Sequence, residues 1–339
     1  MRSRKPAPAT HTVYAENVFR QHAAQFRPYL AEVGLDDRVL SNPSTEITLA
    51  NYVALWELMG RKVDPSIGLK IGLQTDSHQL GVFGHAVRSA PTMQLVLRCL
   101  SHFIVVMSQA TRLDVSENES QVMLSYQVTD PAVIQRRQDA EFALGTAMCL
   151  LREVSGESLL PLRVDFEHAQ PADLSLHNSE FQCPLLFGQP DNRLYFDKAL
   201  LNLPVQTSDP RLFEGLVPFL EQQRKAREEE TDLLTQLGRH IASSLNIGDA
   251  SLEQVAKSLG MSQRSLQRRL AQHGLAFGNL VEEVRRSMAQ AYLAHSNYTL
   301  IEIALLLGYA ESSSFSRAFR RWLQLTPGEY RLQCKTAVR

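Results

Sequence analysis

Cysteine is scarce in this chain: four residues among 339, at Cys99, Cys149, Cys183 and Cys334, with no Cys-x-x-Cys pair. That spacing excludes a zinc ribbon or finger, and four scattered thiols suit a reducing cytoplasm. Cys99 and Cys149 sit in apolar helical stretches and are expected as buried thiols. No run of about 18 apolar residues occurs, which excludes a transmembrane helix. The opening Met-Arg-Ser-Arg-Lys-Pro-Ala-Pro-Ala-Thr10 lacks an apolar stretch behind its charges and does not read as a secretory signal. Phosphate-cradling glycine loops are missing too, since Gly81-Val-Phe-Gly84 is too short for one. His78, His85, His102, His168 and His177 are scattered, with at most a meeting of His168 and His177 across a strand pair. With no nucleophile–base or metal constellation, neither an enzyme nor a cofactor or metal site is expected.

Charge of one sign is also lacking overall, the net being −1. The balance hides an asymmetry. Residues 232–339 hold 13 Lys and Arg against 8 Asp and Glu, whereas residues 1–231 hold 22 against 28. A basic end on an acidic body is what contact with phosphate by one domain would require.

That basic end contains one pattern twice. The first copy reads Leu252-x-x-Val255-Ala256-x-x-Leu259-Gly260-Met261-Ser262, then Leu266-Gln267-Arg268-Arg269-Leu270. The second reads Leu300-x-x-Ile303-Ala304-x-x-Leu307-Gly308-Tyr309-Ala310, then Phe315-Ser316-Arg317-Ala318-Phe319. The Ala and Gly positions lie 48 residues apart and the later anchors 49, so the second turn is one residue longer. In each copy apolar residues at i, i+3 and i+7 make one buried helix face. The small Ala admits a crossing helix, and the Gly suits a left-handed helix end. Ser262 is placed to cap the next helix and is also expected at the DNA, with the outward residues of that helix.

The second helix of each copy turns polar residues outward, where a major groove is within reach. These are Gln263, Arg264, Gln267 and Arg268 in the first copy, and Ser312, Ser313, Ser316, Arg317 and Arg320 in the second. The plainer reading is a solvated helix face. Arg pairs with guanine and Gln with adenine, which assigns Arg268 and Gln267 to base edges. The short hydroxyls of the second copy discriminate weakly. Its Ser316, Arg317 and Arg320 are expected to lean on phosphate and shape, though Arg320 or Arg321 also reads as plain surface charge. Between the copies, Leu280, Val281, Val284, Met288, Ala291 and Tyr292 form an apolar stripe on a helix at about 278–296, with Glu282, Glu283, Arg285 and Arg286 opposite. A stiff helix there would fix the spacing of two readers, which on one face of B-DNA is about 34 Å.

The stretch 233–331 resembles the DNA-binding domain of the AraC/XylS transcription regulators. The likeness rests on Ser262…Leu266-x-Arg268, Gly274 with Phe277, and Arg285-x-x-x-Ala289-x-x-Tyr292-Leu293. It continues through Ile303-Ala304-x-x-x-Gly308-Tyr309-x-x-x-Ser313-x-Phe315-Ser316-Arg317-x-Phe319-Arg320 and Thr326-Pro327-x-x-Tyr330-Arg331. The resemblance implies seven helices holding two recognition helices, with Arg264, Ser312 and Ser313 at base-facing positions. Upstream, Leu80-Gly81-x-Phe83-Gly84-x-Ala86-x-Arg88-Ser89-Ala90-Pro91-Thr92 and Phe181-x-x-x-Leu185-x-Phe187-Gly188-Gln189-x-x-Asn192-Arg193-Leu194-x-Phe196 resemble the larger N-terminal domain of the branch that includes regulators of ornithine utilisation. That likeness implies an effector-sensing, dimerising domain and an activator acting with RNA polymerase. Ornithine or a related amino acid is the effector it suggests.

The chain is expected to divide into a tail (1–12), an α+β sensor and dimerisation domain (13–205), a linker (206–231), an all-α domain of two helix-turn-helix motifs (232–332) and a second tail (333–339). Helices are expected over 13–33, 46–60, 92–109 with Thr92 as cap, and 132–153. Strands are expected over 112–116 and 121–128 as a hairpin, and over 163–168 and 192–196, in a mostly antiparallel sheet. The run 221–230 reads as a solvated helical spacer, with Leu233, Leu234, Leu237 and Ile241 starting the reader domain. The expected function is a cytoplasmic, effector-responsive regulator that binds promoter DNA, as a homodimer and away from the membrane. The rival readings are a ligand-independent architectural DNA-binding protein and an enzyme with a DNA-binding tail.

Overall fold

The computed structural model describes residues 11–336, apart from 15, 43–44, 131–132, 134, 246–249, 273–274, 297 and 324. Contacts divide the described residues into two units, His11–Glu228 and Glu229–Arg339. The basic N-terminal residues Arg2, Arg4 and Lys5, together with Gly274, lie outside the described residues.

In the first unit, β1 (Thr12–Tyr14) pairs antiparallel with β2 (Glu46–Thr48). Thr12, expected in the N-terminal tail, is thus the first residue of a strand. Between the two strands run α1 (Glu16–Gln21), α2 (Ala23–Phe26), a 3-10 segment Arg27–Val33 and α3 (Arg38–Ser41). The one helix expected over 13–33 is therefore broken. Proline in the first turn of the 3-10 segment and Gly34 at φ 72° end its regular winding. The expected helix over 46–60 likewise opens as β2. Thr48 stays extended, and its hydroxyl accepts the Asn51 N–H at 3.2 Å to start α4 (Leu49–Lys62).

Next come α5 (Ile67–Gly72), a 3-10 segment Ser77–Leu80, α6 (Gly81–Ser89) and α7 (Met93–Met107). The helix start at Thr92 is as expected, its hydroxyl accepting the Leu95 N–H at 3.3 Å. The hairpin β3 (Thr111–Glu117) and β4 (Gln121–Val128) leads to α8 (Arg137–Ser155), which begins later than expected and stops at Gly156, φ 69°. Then follow β5 (Arg163–Asp165), α9 (Ser175–Phe181), β6 (Leu185–Leu186) and β7 (Asn192–Asp197). The sheet runs β3-β4-β7-β5-β6, antiparallel except for β5 with β6. An α+β unit with a mostly antiparallel sheet is what the pattern of the sequence predicts.

Two glycines decide how tightly this unit closes. Gly68 and Gly72 stand four apart on α5, so they share one face. A Cβ on Gly68 would lie 2.1 Å from the Gln138 carbonyl oxygen, and one on Gly72 would lie 2.3 Å from that of Phe142. The backbone of α5 rests directly on α8. Beside this contact Trp56, Phe19 and Phe26 are fully buried, and Trp56 stacks on Phe142 with ring centroids 4.8 Å apart. Cys99 is buried as expected, whereas Cys149 is only half-buried.

The expected linker is not a solvated spacer. Residues from Pro210 onward form α10 (Pro210–Leu245), which passes through Pro218 without ending. Phe213, Leu216 and Val217 pack on the first core, and Leu220 is buried within it. Arg227 is 5 % exposed. It donates to Thr12 Oγ1 and to Glu46 Oε1, each at 3.0 Å. Charge alone made this run look solvated. Its apolar and arginine stems cover surface that the sheet and α7 leave open.

Candidate nucleic-acid interface

The second unit is built around one helix. After α10 come α11 (Leu252–Ser258), α12 (Gln263–Gln272), α13 (Phe277–His295), α14 (Leu300–Leu306), α15 (Ser312–Leu323) and α16 (Pro327–Thr336). With the C-terminal part of α10, seven helices stand among the described residues of this unit, the number the resemblance implies. α16 continues into the expected tail.

Two small cores form, one for each copy of the repeat. The first gathers Leu237, Ile241, Val255, Ala256, Leu266 and Leu270, and takes Leu280 and Val281 from α13. The second gathers Ile303, Ala304, Leu307, Phe315 and Phe319, and takes Ala289 and Leu293 from the same helix. Met288 packs against both. The side chains of Leu234 and Ala291 lie outside what the structure describes.

Both turns obey the local logic of the sequence. Gly260 has φ 66° and Gly308 φ 75°, a left-handed conformation that side chains with a Cβ resist. Ser262 Oγ accepts the Ser265 N–H at 3.1 Å, capping α12. Further caps carry their own signal in the sequence: Thr299-x-x-Glu302 and Thr326-x-x-Glu329. In each, the Thr hydroxyl takes the Glu N–H and the Glu carboxylate takes the Thr N–H at 2.7 Å, the reciprocal capping box. These hydrogen bonds hold the carboxyls of Glu302 and Glu329 below the usual carboxylate range.

The outward faces are free of the cores. Ser262, Gln263, Arg264, Gln267 and Arg268 on the first copy are all exposed, while Leu266 and Leu270 between them are buried. On the second copy Ser313, Arg317 and Arg320 are exposed and Ser312 and Ser316 half-buried, with Phe315, Ala318 and Phe319 inside. Ser313 Oγ donates to Glu311 at 2.9 Å, and Arg317 donates to Ser314 Oγ at 3.2 Å.

Arg321 is different. It pairs with Glu282, which also accepts the Trp322 indole N–H at 3.2 Å. Arg285 likewise turns out to be structural. Its Nε donates to the Leu307 carbonyl at 3.0 Å and its guanidinium lies 5.0 Å from the Tyr309 ring centre. It therefore seals the end of α14 and fastens the second turn to α13. The sequence placed Arg285 on the polar side of the connecting helix. The orphan carbonyls at the end of α14 are what draw it in.

Elsewhere in the chain, His168 and His177 converge on Glu141, though not across a strand pair: His168 follows β5 and His177 lies on α9. Their Nε2 atoms lie 3.4 and 3.1 Å from Glu141 Oε1, which also holds Arg137 at 2.8 Å. Hydrogen bonding to His177 and the Arg137 charge outweigh burial and hold the Glu141 carboxyl below its usual range. Among the described residues, no three His, Cys, Asp or Glu side chains are grouped to hold a metal ion.

Residues 24–205 match the arabinose-binding N-terminal domain of AraC transcription regulators, and residues 255–333 match a helix-turn-helix domain. The chain belongs to the AraC family. It is a DNA-binding transcription regulator. Among AraC-type relatives, the HTH-type transcriptional regulator VirS of Mycobacterium tuberculosis is 29% identical over 319 residues, 93% of each chain. The ornithine utilization regulator of Pseudomonas aeruginosa is 28% identical over 299 residues, 86% of each. The crystal structure of the transcriptional regulator CdpR from Pseudomonas aeruginosa is similar at 22% identity and a TM-score of 0.45, covering 92% of this chain and 98% of that one.

Proposed function

We propose that this AraC-family regulator reads promoter DNA with two adjacent helices and is switched by a small molecule bound in its first domain. Ser262, Gln263, Arg264, Gln267 and Arg268 enter one major groove, and Ser312, Ser313, Ser316, Arg317 and Arg320 the next. Arg268 and Gln267 read base edges; Arg317 and Arg320 meet phosphate. One observation carries the reading: α12 and α15 each bury one face in a core shared with α13 and leave the opposite, polar face uncovered. Selection of bound sequences from random duplexes, followed by footprinting, tests it. A protected site with two recognition blocks one helical turn apart is expected. A single block, or binding without sequence preference, contradicts it and favours the architectural reading.

The regulator acts as an activator in the cytoplasm, as a homodimer that engages RNA polymerase, and carries no enzymatic activity. The family supports this. Among the described residues no helix is long and apolar enough to cross a membrane. One relative is named a urease operon transcriptional activator and is 36% identical over 84 residues. The relative named for ornithine utilization makes an amino acid one candidate effector.

A further inference from the structure

The first unit holds a partly open cavity of about 100 Å³. Its walls are apolar, with Phe19, Phe83, Leu100, Ile104 and Leu150 among them. A few polar residues line it too. Among them, the Tyr126 hydroxyl donates to Asp139 Oδ2 at 2.8 Å, and both residues are buried. Thr146 also lines the cavity, from α8. It is 8 % exposed, and its hydroxyl has no hydrogen-bond partner. A helical threonine commonly gives its hydroxyl to the carbonyl four residues back; this one does not. A buried hydroxyl left unpaired is costly, and it faces a space that a ligand can fill.

We propose that this cavity is the effector site, and that it takes a small, uncharged, mostly apolar molecule with one hydrogen-bonding group, of the class of a phenol, held at that group by Thr146. The inference rests on the effector-responsive reading above and gives it a place and a chemistry. The size sets an upper limit: an apolar cavity of about 150 Å³ accepts benzene, so this smaller, partly open one takes at most a single ring. The charge agrees as well. A zwitterionic amino acid would bury its ammonium and carboxylate in a lining whose one carboxylate is Asp139 and which holds no Lys, Arg or His, and unpaired buried charge is strongly disfavoured. Burial moreover pushes the Asp139 carboxyl up to about 7, which weakens it as a counter-ion.

A polar cleft elsewhere in the unit, lined by Glu57, Arg136, Glu167, His168 and Asn192, is the rival place. Its charges are already engaged. Arg136 pairs with Glu167, and the Glu57 carboxylate accepts the Gln138 N–H at 2.7 Å.

The cavity also has a route outward. Tyr14 of β1 forms part of its wall, and the Arg227 guanidinium lies 4.5 Å from the Tyr14 ring centre. Filling the cavity presses on a residue held from α10.

Titration of the full chain with phenol, followed by thermal melting and ligand-observed NMR, tests the assignment, with L-ornithine as comparator. Saturable phenol binding is expected. Thr146→Val should raise the melting temperature of the free protein, since it removes an unpaired hydroxyl, and weaken phenol by roughly tenfold. Ala143→Leu, which extends a side chain of the cavity wall inward, should abolish phenol binding in a folded protein. Absence of saturable phenol binding, or binding unchanged by both substitutions, overturns the inference. If L-ornithine instead binds and Ala143→Leu leaves that binding intact, the cavity assignment falls and the effector-responsive reading stands. If nothing in a broad metabolite panel alters melting or DNA affinity, that reading fails and the inference fails with it.

Discussion

The Arg227 guanidinium lies over the Tyr14 ring, 4.5 Å from its centre, across 213 positions of sequence. The same fork donates to Thr12 and Glu46, so one side chain of α10 clasps both strands of the small sheet. Arg227→Ala should lower stability by about 2 kcal/mol, through lost stacking and stem packing more than lost charge. Glu46 is 42 % exposed and regains water, which limits the electrostatic share. Arg227→Lys keeps the charge but not the planar fork, and should lose about half as much. Urea midpoints of the three proteins check the order.

Asp139 gives the first domain a pH signature. Burial raises its carboxyl to about 7, with Glu57 adding repulsion, while the Tyr126 hydrogen bond and the Arg136 charge pull the other way. The folded state therefore holds this proton more tightly than the unfolded chain does. Its contribution is most favourable below about pH 4 and is lost as pH rises toward 7, by up to ~4 kcal/mol. Asp139→Asn keeps an acceptor for Tyr126 and cannot ionise. It should flatten the stability profile between pH 5 and 8 and leave the variant more stable than the wild type at pH 8. Equal slopes in denaturant titrations across that range would contradict the assignment.

Gly72→Ala should cost at least 1–3 kcal/mol, since the added Cβ meets backbone that has no free rotor to give way. Gly68→Ala should do the same against Gln138. Gly278→Ala in α13 is the contrast. A Cβ there meets nothing within 4 Å, and the change should be neutral or stabilising by up to ~1 kcal/mol. Thermal melts of the three proteins separate close helix contact from a general dislike of substitution.

At the DNA face, Arg268→Ala should cost roughly 1–3 kcal/mol on a selected site and relax choice at one base pair. Arg320→Ala should weaken all duplexes alike and flatten the salt dependence by about one unit of slope. Arg285→Ala touches no outward face, yet frees the end of α14 and should shorten the footprint to the first recognition block. Salt-resolved binding curves with footprinting separate the three.

The reader domain was legible because its signals are local. Gly260 and Gly308 mark left-handed turns, Ser262 caps, and apolar spacing sorts inside from outside for Leu266, Leu270, Phe315 and Phe319. The nine residues named from polar spacing lie on α12 and α15, and Ser262, named as a cap, precedes α12. The first domain was harder. Its class and hairpin follow from alternation and turn residues. The breaks at Gly34 and Thr48 and the burial of Arg227 depend on partners far along the chain, which periodicity does not encode. Arg285 lies between these cases. Its place on α13 could be read, but its role needed the carbonyl of Leu307.

Because Leu280 and Leu293 anchor separate cores along one uninterrupted α-helix, angular phase along that shaft sets where each head points. One residue inserted between Val284 and Met288 would swing the distal head through about 100°, out of line with the duplex, whereas four would bring it almost back into phase but some 6 Å further along. On the proposed two-groove reading, the operator spacing is thus written in the length of a single helix.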